Sequence, residues 1–161
     1  VGTAITDGSS SLMLISDAGK AVYFNEKDAR PMGRDTRGVK GITLEENQSV
    51  IALIMPNKDN EILTVSENGF GKRSKVEDFR KTKRGAKGVI AMQLSERNGK
   101  LISANQVSDE DQVILISDKG TLVRTKVSEI SVIGRNTQGV RVIKLKANEK
   151  LNGMALALEN D

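Results

Sequence analysis

The stretch that decides the fold is Leu14-Ile15-Ser16-Asp17-Ala18-Gly19, because it occurs three times in the chain. It returns as Thr64-Val65-Ser66-Glu67-Asn68-Gly69 and as Leu115-Ile116-Ser117-Asp118-Lys119-Gly120, at a spacing of 50 or 51 residues. A second stretch, Arg34-Asp35-Thr36-Arg37-Gly38-Val39, returns two units later as Arg135-Asn136-Thr137-Gln138-Gly139-Val140. Self-similarity of this period is typical of repeat folds, so the 161-residue chain consists of three copies of one unit.

Each unit contains four strand-like runs that turn residues separate. In the last unit these runs are Gln112–Ser117, 120–130, 139–145 and 151–158. The first run is apolar without alternation, which predicts a strand buried on both faces. The Asp, Asn and Gly residues of the recurring stretch predict a tight turn after it, because they tolerate positive φ. Four strands per unit without a helical pattern predict an all-β chain of propeller-like blades.

The repeat also defines the expected domain boundaries. We expect blades at residues 11–56, 57–108 and 109–161, preceded at 1–10 by the closing strand of another blade. Propeller rings typically contain roughly four to eight blades, so three blades indicate part of a larger ring. The first residue is Val1 rather than methionine, which also predicts an excised fragment.

Composition argues against several classes of protein. The chain has no cysteine and no histidine, which excludes a disulfide scaffold, Ser-His triads and most zinc sites. No apolar run approaches the roughly 18 residues of a membrane span, and the N-terminus lacks the features of a signal peptide. We therefore expect a cytoplasmic protein with no membrane contact and with no catalytic residue, metal site or cofactor of its own.

Positive charge is concentrated at matching positions of the three units. Residues 20–44, 70–88 and 119–146 carry net charges of +3, +6 and +6, although the whole chain carries only +4. The remainder of the chain is therefore strongly acidic. A basic patch that repeats once per blade would form a positive track around a rim, and its natural partner is a polymer of regularly spaced negative charge.

Double-stranded DNA is the favoured polyanion. Proteins that bind single strands or RNA rely on aromatic stacking platforms, whereas aromatic residues make up only 2% of this chain. Contacts to the duplex backbone position the protein and carry little sequence information, so we expect binding without sequence specificity. A curved positive rim would also bend the duplex, at a deformation cost of about 1–6 kcal/mol.

The candidate DNA-contacting residues come from these basic segments. Arg73 and Lys75 lie two apart on a predicted strand, as do Arg124 and Lys126, so each pair is expected to share one exposed face. These side chains either contact phosphate or only solubilise the surface. The full candidate set is Arg34, Arg37, Lys40, Lys72, Arg73, Lys75, Lys81, Lys83, Arg84, Lys87, Arg124, Lys126, Arg135 and Arg141.

Two positions of the loop before the third run are the same in all three units. One is an arginine, at Arg34, Arg84 and Arg135. It fits a phosphate clamp as well as a loop staple that bonds to backbone carbonyls, and both interpretations stay open. The other is a glycine, which we expect to serve turn geometry or a close backbone approach; it occurs at Gly38, Gly88 and Gly139.

A family resemblance is carried by residues 32–42 (MGRDTRGVKGI), 68–73 (NGFGKR), 120–130 (GTLVRTKVSEI) and 134–140 (GRNTQGV). These stretches resemble the C-terminal domain of the DNA gyrase A subunit, and the resemblance covers nearly the whole chain. That family implies a six-bladed β-pinwheel, a propeller-like ring whose four-stranded blades exchange strands with their neighbours. This chain would correspond to blades four to six.

The resemblance also implies a function. Duplex DNA wraps around the basic edge of the ring, and ATP-driven strand passage in the full enzyme then produces negative supercoiling. The partners would be double-stranded DNA and, in the heterotetramer, the remainder of the gyrase A subunit together with the gyrase B subunit, at the bacterial nucleoid. ATP and Mg would act on other domains, so this chain would belong to an enzyme without having an active site itself.

One departure from the family limits what this chain is expected to do alone. The first blade of the family carries a Gln-Arg-Arg-Gly-Gly-x-Gly box that is needed for wrapping. This chain has only a partial match to that motif, at residues 83–88 (KRGAKG). We therefore expect weak DNA binding without wrapping or supercoiling.

The alternatives to a gyrase domain are the equivalent domain in the C subunit of topoisomerase IV, a propeller-type scaffold for protein partners, and an enzyme with a propeller fold. The scaffold would require exposed aromatic or apolar anchors.

Overall fold

The computed structural model describes residues 11–25, 42, 44–57, 59–79, 88–134 and 137–157. Their regular structure is strand, apart from two 3-10 turns at Val76–Asp78 and Val127–Glu129. The all-β, propeller-like prediction is therefore confirmed. The described strands are β1 (Ser11–Ser16), β2 (Lys20–Asn25), β3 (Val50–Ile54), β4 (Glu61–Ser66), β5 (Phe70–Lys75), β6 (Val89–Ile90), β7 (Leu101–Val107), β8 (Gln112–Ser117), β9 (Leu122–Lys126), β10 (Val140–Arg141) and β11 (Leu151–Leu156).

The recurring stretch forms the first strand of a hairpin and the turn that follows it. β1 pairs antiparallel with β2, β4 with β5, and β8 with β9. Each turn closes through a hydrogen bond from the glycine amide to the carbonyl three residues earlier, as from Gly19 N to Ser16 O at 3.1 Å. The predicted turn is thus confirmed in all three units.

The short third strand of a unit joins the sheet of the unit before it. β6 follows the second hairpin in the chain yet pairs with β2, and β10 follows the third hairpin yet pairs with β5. The sheets therefore have the orders β3-β1-β2-β6, β10-β5-β4-β7 and β11-β8-β9. This arrangement is the strand exchange that the resemblance implies. Within the described residues the third sheet has three strands rather than the expected four, which leaves β9 as an edge.

Two strands of the last unit are shorter than the sequence pattern predicts. The run expected at 120–130 is a strand only over Leu122–Lys126. Val127 then turns into the core, and its amide donates to the carbonyl of Asp111 at 3.0 Å. The run expected at 139–145 is a strand only over Val140–Arg141; beyond it, the amides of Val142 and Ile143 both donate to the carbonyl of Gly69, and Ile143 is buried.

Apolar side chains fill two layers between the three sheets. One cluster, which includes Met13 and Ile15, joins the first and second sheets; another, which includes Leu63, Val113 and Leu115, joins the second and third. β4 is accordingly buried on both faces. For β8 the predicted burial on both faces is wrong, because its burial alternates along the strand. Among the described residues only one face of its sheet is covered by another sheet.

Two of the recurring glycines lie where backbones approach closely. Gly139 has φ +79°, and a Cβ there would lie 2.8 Å from the carbonyl oxygen of Gly71. Gly88 has φ +92°, and its Cβ would lie 2.5 Å from the carbonyl oxygen of Ala21. Only glycine lets the exchanged strand come this near its neighbour. The expected close approach is confirmed at both positions, whereas Gly38 lies outside the described residues.

Candidate nucleic-acid interface

The structure describes part of the predicted DNA-contacting set. The described candidates are Lys72, Arg73, Lys75, Arg124, Lys126 and Arg141. The following candidates lie outside the described residues and stay predictions: Arg34, Arg37, Lys40, Lys81, Lys83, Arg84, Lys87 and Arg135.

Lys72 is a buried structural lysine. Its side chain is 0% exposed. Its Nζ donates to the carbonyl of Gly134 at 2.9 Å, to the carbonyl of Thr137 at 3.2 Å and to the Thr137 Oγ1 at 3.1 Å. The ammonium thus holds the loop before β10 against β5. The expectation that Lys72 lies on an exposed basic surface is wrong, because the exchanged strand and its loop cover the side chain.

Arg73 connects the second sheet to the third unit. Its Nε donates to the carbonyl of Ile130 at 2.7 Å, and its Nη1 contacts the carboxylates of Glu61, at 2.9 Å, and Asp109. The backbone of Arg73 also exchanges hydrogen bonds with Ser131 and Ile133. The residue is 5% exposed, so the expected shared exposed face with Lys75 is wrong. The third unit covers the arginine, whose charge is satisfied by Glu61 of its own unit and by Asp109 of the third.

Arg124 occupies the same repeat position as Arg73 but is exposed. Its Nε donates to the Oε1 of Gln112 at 2.6 Å, and Gln112 stands one repeat after Glu61. The difference arises because β9 is an edge among the described strands, so no described unit covers it. An arginine at this repeat position therefore connects two units in the second copy, as Arg73, and is a surface cation in the third, as Arg124.

Four of the described candidates remain accessible to a phosphate. They are Lys75, Arg124, Lys126 and Arg141, all exposed. The Nζ of Lys75 lies 3.9 Å from the carboxylate of Glu77, and both side chains are largely exposed. Such a surface pair contributes little to stability, so the ammonium can exchange its partner for a phosphate at small cost.

Arg141 is positioned by the strand exchange. It lies opposite Phe70 in the β10–β5 pairing, and its guanidinium carbon is 5.2 Å from the centroid of the Phe70 ring. The guanidinium carbon of Arg97 is 4.8 Å from the same centroid. Arg97 lies outside the basic segments of the sequence, and no local pattern of residues predicts its contact with Phe70.

Glu149 is a buried carboxylate that holds a loop in place. Glu149 accepts hydrogen bonds from the hydroxyls of Ser117 and Thr121, both at 2.6 Å, and from the amide of Lys146 at 3.0 Å. The Ser117 bond foremost, then those from Thr121 and Lys146, lower the pKa of Glu149 to about 2. Its charge is therefore used to hold its own loop against the β8–β9 turn.

Two further findings concern metal and membrane sites. Within the described ranges, no cluster of three or more acidic, histidine or cysteine side chains could hold a metal ion. That same part of the chain contains no helix that is both long and apolar enough to cross a membrane.

A cleft of about 440 Å³ lies between turns of the first two units, and Asp17, Glu67 and Glu96 are among its lining residues. Its acidic lining does not suit a phosphate.

Three consecutive segments of the chain match one family model. Residues 10–57, 60–108 and 111–157 each match the DNA gyrase C-terminal domain, a beta-propeller. The chain belongs to this family. The resemblance inferred from the sequence motifs is thereby confirmed.

Individual relatives agree with the DNA gyrase C-terminal domain family. The DNA gyrase A subunit of Pseudomonas aeruginosa is 51% identical over 154 residues, which are 96% of this chain and 17% of that relative. A solved DNA gyrase A C-terminal domain superposes with a TM-score of 0.85 at 28% identity, covering 95% of this chain and 52% of that one. The C-terminal domain of DNA topoisomerase IV also gives 0.85, at 25% identity, covering 94% and 47%. The chain thus spans about half of these domains.

Proposed function

We propose that this chain binds duplex DNA through its backbone phosphates, without sequence specificity, as half of the DNA-wrapping domain of a gyrase A subunit. Membership of the DNA gyrase C-terminal domain family carries the proposal. The exposed positions of Lys75, Arg124, Lys126 and Arg141 support it. These side chains are long, cationic and hydrated, which suits contacts that position a duplex and do not read its bases.

The chain works as one part of a larger enzyme in the bacterial cytoplasm, at the nucleoid. A six-bladed ring is completed by the rest of the gyrase A subunit, which the gyrase B subunit joins in the heterotetramer. The DNA bent around the ring enters ATP-driven strand passage, which uses ATP and Mg on other domains and yields negative supercoiling. The active site lies outside this chain.

The first experiment measures the affinity of the chain for a ~40-base-pair duplex of arbitrary sequence across a salt series. We expect an affinity that depends little on sequence and falls steeply with salt, with a log–log slope of roughly several units. The variants Lys75→Glu, Arg124→Glu and Lys126→Glu should each flatten that slope. Lys100→Glu is the matched control, because Lys100 is exposed beside the acidic cleft.

Arg73 is unsuitable for this experiment because its substitution would disturb the fold. No binding at low salt, or equal effects from Lys100→Glu and Lys126→Glu, would contradict a phosphate-binding role.

A topology assay on closed circular DNA tests the prediction that the isolated chain binds DNA without wrapping it. We expect no positive wrap, and a full positive wrap by this chain alone would contradict the role assigned to the missing box.

A further inference from the structure

A group of cations lies where the second and third units meet, at the turn end of β5. It consists of Arg97, Arg141 and Lys150, and we refer to these three residues as the junction cluster. Arg97 lies in the loop before β7, Arg141 on the exchanged strand β10, and Lys150 immediately before β11. All three side chains are exposed. Widely separated segments of the chain therefore bring three positive charges to one surface.

One buried ring holds the two arginines. Phe70 is 1% exposed, and the guanidinium carbons of Arg97 and Arg141 lie 4.8 and 5.2 Å from its centroid. A ring attracts a guanidinium by its π face and leaves the N–H groups at the guanidinium edge free to donate hydrogen bonds. That geometry fits the fork of donors by which arginine recognises a phosphate.

Asn68 connects the loop of Arg97 to Lys150. Its Nδ2 donates to the carbonyl of Arg97 at 3.1 Å and to that of Glu96 at 3.2 Å, and its Oδ1 accepts from the Nζ of Lys150 at 2.5 Å. An asparagine of the second unit thus ties the loop of its own unit to a lysine of the third. The three cations keep a defined spacing because a side-chain network positions them.

Two of the carboxylates nearby accept hydrogen bonds from backbone amides. Glu67 accepts from the amide of Lys100 at 3.3 Å, and Asp118 accepts from the amide of Lys150 at 3.0 Å. The ion pairs among the described residues are those of Arg73 and Lys75, and none includes a member of the junction cluster. None of the three cations is therefore held in an ion pair with a described carboxylate.

The repeat itself does not require this arrangement. The counterparts of Phe70 are Lys20 in the first unit and Thr121 in the third, and the counterpart of Arg141 in the second unit is Ile90. These units form the same hairpins without an aromatic ring at this position. The ring with two arginines beside it is therefore a feature of this junction and not a requirement of the repeat.

We propose that the junction cluster binds the phosphate backbone of duplex DNA where the duplex crosses from the second unit to the third. Arg97 and Arg141 donate to phosphate oxygens and Lys150 adds a third positive charge, while Phe70 is a positioning residue that holds both guanidinium groups. This inference rests on the proposed function, since it names a site for the same polyanion. It adds Arg97 and Lys150 to the DNA-contacting surface.

The test measures the salt dependence of duplex binding for the whole chain, by anisotropy of a labelled ~40-base-pair duplex. We expect Arg97→Gln and Arg141→Gln each to lower the log–log slope by about one unit, and the double variant to lower it by about two. Lys100→Gln, which removes one exposed charge from the same loop region, should leave the slope unchanged.

A second pair of variants tests the positioning role without changing the charge. Phe70→Leu removes the ring beneath both arginines, and we expect several-fold weaker binding. Phe79→Leu is the matched control, since Phe79 is also buried, at 3% exposed, but packs in the core between the first two sheets. The Phe79→Leu variant should bind the duplex with wild-type affinity when binding is measured well below the temperatures at which the two variants unfold.

The outcomes separate this inference from the proposed function. If the wild-type chain binds with a steep salt slope, and Lys126→Gln lowers that slope while the Arg97/Arg141 double variant does not, the junction cluster is not a DNA site and the proposed function stands. If the wild-type chain does not bind duplex even at low salt, both fail. Equal effects of Phe70→Leu and Phe79→Leu would remove the positioning role of Phe70.

Discussion

Arg73 and Arg124 occupy the same position in the second and third units. Substitution of Arg73 should lower stability without changing DNA binding, whereas substitution of Arg124 should weaken DNA binding without lowering stability. Arg73→Met removes a buried guanidinium that ties the second sheet to the third unit, whereas Arg124→Met removes an exposed one at the equivalent position. Methionine keeps most of the buried aliphatic length of the side chain, so the comparison isolates the charged head. The two variants are therefore matched in chemistry and in place within the repeat.

The expected cost of Arg73→Met follows from its partners. The charge-assisted hydrogen bond to the Ile130 carbonyl contributes about 1.5–3 kcal/mol. The side chains of Glu61 and Asp109 are 20% and 75% exposed, so water solvates them when the arginine is lost and they add no more than about 1 kcal/mol. We expect a loss of about 2–3 kcal/mol, or about 4–12 °C in melting temperature for a chain of this size.

The assay combines urea unfolding, followed by far-ultraviolet circular dichroism, with the duplex salt series. Arg124→Met should change the unfolding free energy by less than about 0.5 kcal/mol, because an exposed side chain has few contacts to lose. It should lower the salt slope by about one unit. Arg73→Met should leave that slope unchanged at temperatures where the chain is folded. Equal unfolding midpoints for the two variants would refute the assignment of Arg73 as an inter-unit tie.

Three further predictions concern the fold. Hydrogen bonds from Ser117 and Thr121 hold the pKa of Glu149 at about 2, below its ordinary 4.5, so its carboxylate stabilises the fold fully above pH 4.5 and loses this contribution as the pH falls toward about 2. Glu149→Gln should flatten the decline of melting temperature across that range in calorimetry, and a variant as acid-sensitive as the wild type would contradict this. Gly139→Ala, at φ +79° and 2.8 Å from the Gly71 carbonyl, should cost more than about 1 kcal/mol in urea unfolding. Gly134→Ala is its control, because nothing lies within 4 Å of that Cβ, and equal costs would count against a close approach at Gly139. Thr64 has a buried hydroxyl without a partner among the described residues, so Thr64→Val should stabilise the chain by about 1 kcal/mol in the same assay, and a loss of stability would show that the hydroxyl is satisfied.

The repeat, the hairpins and their turns could be predicted from the sequence, because their causes are local. A turn needs residues that tolerate particular φ values, and the stretch ending in Gly19, Gly69 or Gly120 supplies them in every unit. An apolar, β-branched run beside such a turn has few alternatives to a strand. The family motifs are continuous stretches, so they too could be recognised without coordinates.

The candidate site was predicted less completely, because exposure is not a local property. The sequence predicts that the basic segments lie on the surface, yet the charged groups of Lys72 and Arg73 form hydrogen bonds inside the protein. The local sequence around a lysine or an arginine does not indicate whether its side chain contacts a phosphate or a backbone carbonyl. Only the position of the following unit distinguishes buried Arg73 from exposed Arg124, since the two have the same local sequence pattern.

The sequence by itself determined the three-unit all-β architecture, the family and the concentration of positive charge in each unit. The tertiary structure decided which of the described cations are available, because strand exchange places β10 and its loop over Lys72 and beside Phe70. It also brought Arg97, Arg141 and Lys150 together around one ring and one asparagine. Such contacts join segments that are far apart in the chain, and their geometry depends on how the sheets pack, which no local pattern of residues encodes.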